Sequence, residues 1–218
     1  MFRKLLRLIF PPKCLLCKKV LLDGETDMCG QCRCDLEDMP QPKFKISFVA
    51  RWTALWYYNG KVRSSILRYK FRNVRNYAPR FGRLLAQGIV KSDLPEYDIL
   101  TWVPISPVRK FFRGYDQVQL IADFVGRELK RPATAVLQKV RHTKAQSGIQ
   151  GAAFRRANVL GAYRVKKNAD IKGKRILLLD DVVTTGATLS ECAKVLLTAG
   201  AKEIYCAALA ASNEKKEQ

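Results

Sequence analysis

The segment Ile176 to Leu189, ILLLDDVVTTGATL, constrains this 218-residue chain more than any other stretch, because it sets two carboxylates and a glycine- and threonine-rich turn between an apolar run and a helical pattern. Arg175 to Leu179 follows a Gly-Lys turn and is rich in β-formers, as in a strand covered on both faces. Beyond the turn, Leu189, Cys192, Ala193, Leu196 and Leu197 recur at i, i+3, i+4, i+7 and i+8, the stripe of a helix ending at Gly200. The order is strand, acidic turn, helix. Thr184, Thr185, Gly186, Ala187 and Thr188 then stand at a helix N-terminus, where unpaired N–H groups and the positive dipole end receive a phosphate. Asp180 and Asp181 accept hydrogen bonds only, so beside that phosphate they suit vicinal sugar hydroxyls, with a divalent cation on the ligand. A ribose 5-phosphate satisfies both halves.

A competing reading makes the threonines plain helix caps and the aspartates a metal site, as in phosphoacceptor α/β domains. Chain position argues against it, since only one helix and one further strand, Glu203 to Ala210, follow the acidic pair. Neither GxGxxG nor GxxxxGK[ST] occurs, which removes support for dinucleotide binding and for P-loop hydrolysis.

Upstream, Asp98 to Ile105 reads as a strand, and Val118, Ile121, Ala122, Val125 and Leu129 form one helical face. This alternation predicts an α/β fold, a parallel sheet with helices on both faces. Ligands in such sheets sit at the carboxyl ends of the strands, which brings the loop after Val103-Pro104 opposite the TTGAT turn. Ser106, Arg109, Lys110 and Arg113 in that loop are the candidate ligands of a further phosphate or diphosphate group, against the plainer reading of a solvated turn. Lys139 to Asn158, polar and basic with Gly and Ala at its centre, has the composition of a mobile lid rather than a packed element. His142 within it reads as solvated rather than catalytic.

Cys14-Leu15-Leu16-Cys17 and Cys29-Gly30-Gln31-Cys32 are CxxC pairs in the arrangement of a zinc ribbon or knuckle. Cys14, Cys17, Cys29 and Cys32 make a closed tetrahedral shell, which means structural zinc. Cys34 competes with Cys32, but its one-residue spacing is a poorer chelating turn. Cys192 and Cys206 lie on apolar faces and read as core.

The acidic pair with its TTGAT turn resembles the binding motif for phosphoribosyl diphosphate (PRPP) of type I phosphoribosyltransferases. Arg113-Gly114-Tyr115-Asp116-Gln117, the series Thr143, Gln146, Arg155 and Asn158, and the four-cysteine module extend the resemblance over nearly the whole chain to the ComF family, whose members are linked to bacterial competence and DNA uptake. Asp116 departs from the usual Asn, and Cys34 is additional. The resemblance implies a zinc-ribbon-like module at 1–42 and a phosphoribosyltransferase-like domain at 43–218. It further implies PRPP bound with Mg²⁺, catalytic roles for Asp180 and Asp181, and a lid of Arg141, Thr143, Gln146 and Arg155 shielding an oxocarbenium-like centre from water. A helicase-like competence ATPase is the implied protein partner.

The net charge of +21 is localised. Residues 39–92 hold twelve Lys/Arg and no acid, and residues 129–169 hold ten and no acid, so two blocks carry the whole excess. PRPP is too small to use both, whereas a polyanion tracked along a groove would. Ten of the 21 aromatics lie in or beside the first block, from Phe44 and Phe48 through Trp52, Trp56 and Tyr69 to Phe81, a mixture that suits single-stranded DNA. The alternatives are a merely solvated basic face and aromatics that serve as core, since Phe48 to Tyr58 also reads as a buried strand. The expected contact is a basic helix from Lys61 to Arg75, through Lys61, Arg63, Arg68, Lys70, Arg72 and Arg75. Three functions follow as expectations: a competence protein binding PRPP–Mg and single-stranded DNA, a phosphoribosyltransferase acting on a nitrogen nucleophile without a DNA role, or a sensor in which PRPP only sets the conformation of a DNA-binding protein.

Met1 to Phe10 is basic and apolar but broken by Pro11-Pro12, too short for a signal peptide or a span. It reads as a helix packed on its own domain or, less simply, touching a membrane or partner. No transmembrane segment is expected elsewhere, and the expected location is the cytoplasm.

Overall fold

Two nine-residue strands lie at the centre of the molecule, and their side-chain alternation decides how the layers form. The computed structural model describes residues 10–36, 44–72, 74–141 and 157–212. Within them the elements are α1 (Gly30–Cys34), β1 (Arg51–Tyr57), α2 (Gly60–Phe71), α3 (Ala78–Lys91), β2 (Ile99–Trp102), α4 (Pro107–Arg113), α5 (Gln117–Glu128), β3 (Leu137–Lys139), β4 (Tyr163–Val165), β5 (Arg175–Val183), α6 (Ala187–Thr198) and β6 (Glu203–Ala211). Four strands form a parallel sheet in the order β1-β6-β5-β2, and β3 and β4 form a separate antiparallel pair.

Apart from Arg175, the acidic pair and Glu203, strands β5 and β6 are built of apolar and aromatic residues because helices cover both faces of the sheet. Ile176, Leu178, Ile204 and Cys206 point to α6 and join Leu189, Cys192, Ala193 and Leu196. Leu177, Leu179, Tyr205 and Ala207 point the other way, onto Phe81 and Leu85 of α3 and Ile121 and Val125 of α5. Successive residues therefore feed two cores, and each fully buried Leu or Ile contributes about 2 kcal/mol. Helices α3 and α5 come close at Gly82, where a Cβ would lie 2.4 Å from the Cβ of Phe124. A side chain there would force the two helices apart.

Strand β5 is longer than its sequence suggested. The acidic pair lies inside it rather than in a turn, because β6 stays paired along its edge through Val183↔Ala211. On the other edge β2 stops at Trp102↔Leu179, so the expected strand from Asp98 to Ile105 contracts to four residues. Asp98 instead accepts the Arg175 N–H, and Pro104 has no N–H for a ladder. Asp180 to Val183 thus project past β2 with one edge open.

The cysteine module packs directly on this body. Cys14, Leu15, Leu16, Leu21, Met28, Cys29 and Cys32 belong to the same apolar cluster as α3 and α5. Buried Asp27 holds Arg80 and Arg83 of α3 at 3.1 and 2.8 Å, and Lys61 pairs with Asp35 at 2.9 Å. The expected division at 42/43 falls outside the described residues. Among the described residues no helix is long and apolar enough to cross a membrane.

Candidate functional site

The open edge of β5 forms one wall of a cleft of about 390 Å³ lined by Asp180, Asp181, Thr184, Thr188, Arg109 and Arg113. Each wall has a local cause. Gly186 adopts φ +71°, and a Cβ there would fall 2.8 Å from Ile46 Cγ1, so both the backbone sign and the space require glycine. It is the N-cap of α6 and supplies no capping side chain, which leaves the first-turn N–H groups of a twelve-residue helix to other acceptors. Thr185 Oγ1 is buried with no hydrogen-bond partner among the described residues.

The facing wall is α4, a short helix where the sequence suggested a loop. Ser106 caps it by accepting the Arg109 N–H at 3.3 Å, and Gly114 ends it at φ +71°. Arg109 and Arg113 reach the cleft, four residues apart on one helical face. Burial and neighbouring Arg113 lower the pKa of Arg109. Lys110 does not line the cleft; it is exposed, 3.4 Å from Gln119 Oε1. Asp116 caps α5: its Oδ1 accepts from Val118 and Gln119, and its Oδ2 accepts from Ile105 at 3.1 Å. Both carboxylate oxygens are therefore used to hold the α4 loop against α5.

The acidic pair is embedded in positive charge. Lys70 Nζ lies 2.8 Å from Asp181 Oδ1, and Gln117 Nε2 donates to Asp181 Oδ2 at 3.3 Å. Burial and the adjacent Asp181 carboxylate raise the pKa of Asp180, with Lys70 and Lys139 opposing. Lys139 ends β3, is 8% exposed and donates to Tyr163 OH at 3.1 Å. Burial and then Arg109 lower its pKa to about 8.

Lys139 corrects the lid expectation, since it is a packed strand residue rather than the start of a loop. Arg141 is anchored too, donating to the carbonyls of Leu160 at 2.6 Å and Asn158 at 3.2 Å. Thr143, Gln146, Arg155 and His142 lie outside the described residues. Sequence reasoning missed Lys139, Tyr163 and Gln117 as cleft residues; a lysine on the same strand face as Leu137 in VLQKV was the available signal.

The basic helix is shorter than expected, Gly60–Phe71, and its cations do not form one outer face. Lys61 pairs with Asp35, Arg63 lines the cleft, and Arg68 donates to the carbonyls of Leu15 and Leu16 at 3.1 and 2.6 Å. Lys70 turns to Asp181, and Arg75 donates to Gly114 O at 3.2 Å and lies over the Tyr115 ring. Arg72 is exposed. The aromatics of this block follow the core reading: Trp52, Trp56, Tyr69 and Phe81 are buried, and of the ten only Phe48 and Phe71 are exposed.

Cys14, Cys17, Cys29 and Cys32 place their sulfurs within 4.8 Å of one another, with Cys17 and Cys29 at 3.6 Å. A tetrahedral ion with bonds of about 2.3 Å needs sulfurs about 3.8 Å apart, so the four fit one metal. Burial pushes the Cys14 thiol up, but N–H groups of Cys17, Cys29 and Leu16 outweigh it and bring it to about 6. Burial and then hydrogen bonds with Cys17, Cys29 and Cys14 push the Cys32 thiol well up, a cost of its thiolate form that a bound cation offsets. Cys34 is exposed and outside the cluster.

The phosphoribosyl transferase domain family matches residues 119–218. Competence protein F of Haemophilus influenzae is 36% identical over 154 residues, 66% of each chain. Competence protein ComFC of Streptococcus pneumoniae is 32% identical over 154 residues, 69% of this chain and 64% of that one. The matches thus span just under two thirds of the length of these curated relatives. A solved structure of the allosteric regulatory enzyme of purine biosynthesis aligns with 62% of this chain and 26% of its own at 25% identity and a TM-score of 0.41. With a phosphoribosyl transferase domain behind a four-cysteine cluster and competence proteins among its relatives, the chain belongs to the ComF family.

Proposed function

We propose that the cleft binds PRPP with Mg²⁺ and that the protein serves DNA uptake, handling single-stranded DNA beside that site. The carrying observation is the convergence of Asp180, Asp181, Thr184, Thr188, Arg109 and Arg113 on one cleft at the end of the sheet. The 5-phosphate sits in the TTGAT turn, where the uncapped N–H groups of α6 and the orphaned Thr185 hydroxyl take its oxygens. The diol faces the aspartates, and the diphosphate faces Arg109 and Arg113 with Mg²⁺ on its own oxygens. The names of the relatives support the competence role. A helicase-like ATPase is the proposed partner and the cytoplasm the proposed location. Zinc is the metal of the cysteine module, as the all-thiolate donor set favours.

One observation favours a phosphoribosyltransferase that acts on a nitrogen nucleophile without a DNA role: Lys61, Arg68, Lys70 and Arg75 are engaged within the protein rather than offered along a groove. Calorimetric titration of PRPP–Mg²⁺ into the zinc-loaded protein, with and without oligonucleotide, tests the main reading. Binding that disappears in Asp180→Asn/Asp181→Asn supports the site, and no heat in the wild type overturns it. Release of diphosphate on adding a nitrogen base, with no oligonucleotide binding, selects the transferase.

A further inference from the structure

Helix α4 has two sides with opposite character. Arg109 and Arg113 enter the cleft, while Val108, Phe111 and Phe112, at i, i+3 and i+4, are 48%, 83% and 83% exposed. Adjacent phenylalanines left this open run against burial and mark a contact surface. Their rings meet edge to face at 5.8 Å and 80°, an arrangement that leaves ring faces open. A third open ring, Phe71 at the end of α2, lies 4.9 Å from the Arg113 guanidinium and lines the cleft. Arg113 thereby joins the two elements into one rim.

The charge on this rim has one sign. Lys110 and Arg72 are exposed, and Arg75 is tied to Gly114 at the end of α4. No Asp or Glu occurs between residues 99 and 115 or between 39 and 92, and Asp116 is buried as a helix cap. An ordinary apolar protein partner needs no uniformly cationic surround. Flat rings flanked by cations match a chain of bases joined by phosphates.

We propose that the exposed Phe111–Phe112 face of α4, with Phe71, is the platform on which bases of single-stranded nucleic acid stack, while Lys110 and Arg72 take its phosphates. The contact surface is then α4 with the C-terminal end of the basic helix, Phe71 and Arg72, rather than the whole length of that helix, and a bound strand lies across the same short helix that sends Arg109 and Arg113 to the diphosphate. This rests on the nucleic-acid part of the proposed function and places it.

The test is fluorescence anisotropy of a labelled oligothymidylate with the zinc-loaded 218-residue protein across a salt series. Phe111→Ala/Phe112→Ala should weaken binding about tenfold or more while leaving the salt slope unchanged, because the rings go and the cations stay. Lys110→Ala/Arg72→Ala should weaken binding and flatten the slope, and ultraviolet cross-linking should attach thymidine to Phe111 or Phe112. PRPP titration of the phenylalanine variant, unchanged from wild type, serves as the folding control. Wild-type binding matched by the phenylalanine variant overturns the platform but not nucleic-acid binding. No wild-type binding overturns both. A variant that loses self-association by light scattering while binding oligonucleotide normally makes the face a protein interface and overturns the proposal.

Discussion

Lys70 on α2 places its ammonium nitrogen 2.8 Å from a carboxylate oxygen of Asp181 on β5, with side chains 19% and 7% exposed. The same helix carries Ser65 and Arg68, which bond the carbonyls of Leu15 and Leu16 between the first two cysteines. One helix therefore touches both the cysteine cluster and the acidic pair, and Tyr69 between them donates to Gln117 O at 2.7 Å.

Lys70→Gln leaves Asp181 buried with Gln117 as its remaining side-chain partner among the described residues. Removing one member of such a pair costs about 3 kcal/mol. The expected result is a lower urea midpoint at pH 7, with Asp181→Asn less destabilising but without PRPP–Mg²⁺ binding. An unchanged midpoint in Lys70→Gln would show that the pair adds no stability.

Lys139 gives a pH dependence. Its folded pKa, about 8, lies below the ordinary 10.5, so between those values the unfolded chain binds more protons. Stability from this group therefore rises as pH climbs from about 8 to 10.5, and Lys139→Met removes that rise. If Lys139 faces the bound anion, PRPP affinity falls as pH climbs through 8 in wild type and stays flat in the variant. Parallel calorimetric profiles for the two proteins would exclude that role.

With zinc as the proposed metal, a chelator should release the module, since the four cysteines lose the ion that joins them and the contacts of Arg68, Ser65 and Asp27 lose their fixed partners. Amide exchange over residues 13–34 should speed up, and Cys14→Ser should do the same with loss of bound zinc. Cys34→Ser should retain full metal content. Equal zinc loss in Cys34→Ser and Cys14→Ser would contradict the assigned shell.

Gly186→Ala combines a left-handed φ of +71° with a Cβ 2.8 Å from Ile46 Cγ1. The expected cost is about 2 kcal/mol, together with weakened PRPP binding as the turn shifts. Chemical denaturation and calorimetry read the two effects separately. Stability equal to wild type would mean that Ile46 yields at no cost.

The sequence by itself determined what depends on neighbours along the chain. The run ILLLDDVVTTGATL specified a buried strand, an acidic pair and a helix N-terminus, and the two CxxC pairs specified the cluster, because periodicity, glycine chemistry and chelating turns act within a few residues. Tertiary structure alone decided which cations belong to which anions. Lys70 read as a nucleic-acid contact and stands on Asp181; Lys139 read as lid and is buried beside Tyr163; Asp116 was an oddity and caps α5. A charge in a sequence carries its sign but not its direction. Side-chain direction was fixed by the packing of α2 against the module and the early stop of β2, and both depend on contacts between residues far apart in the chain.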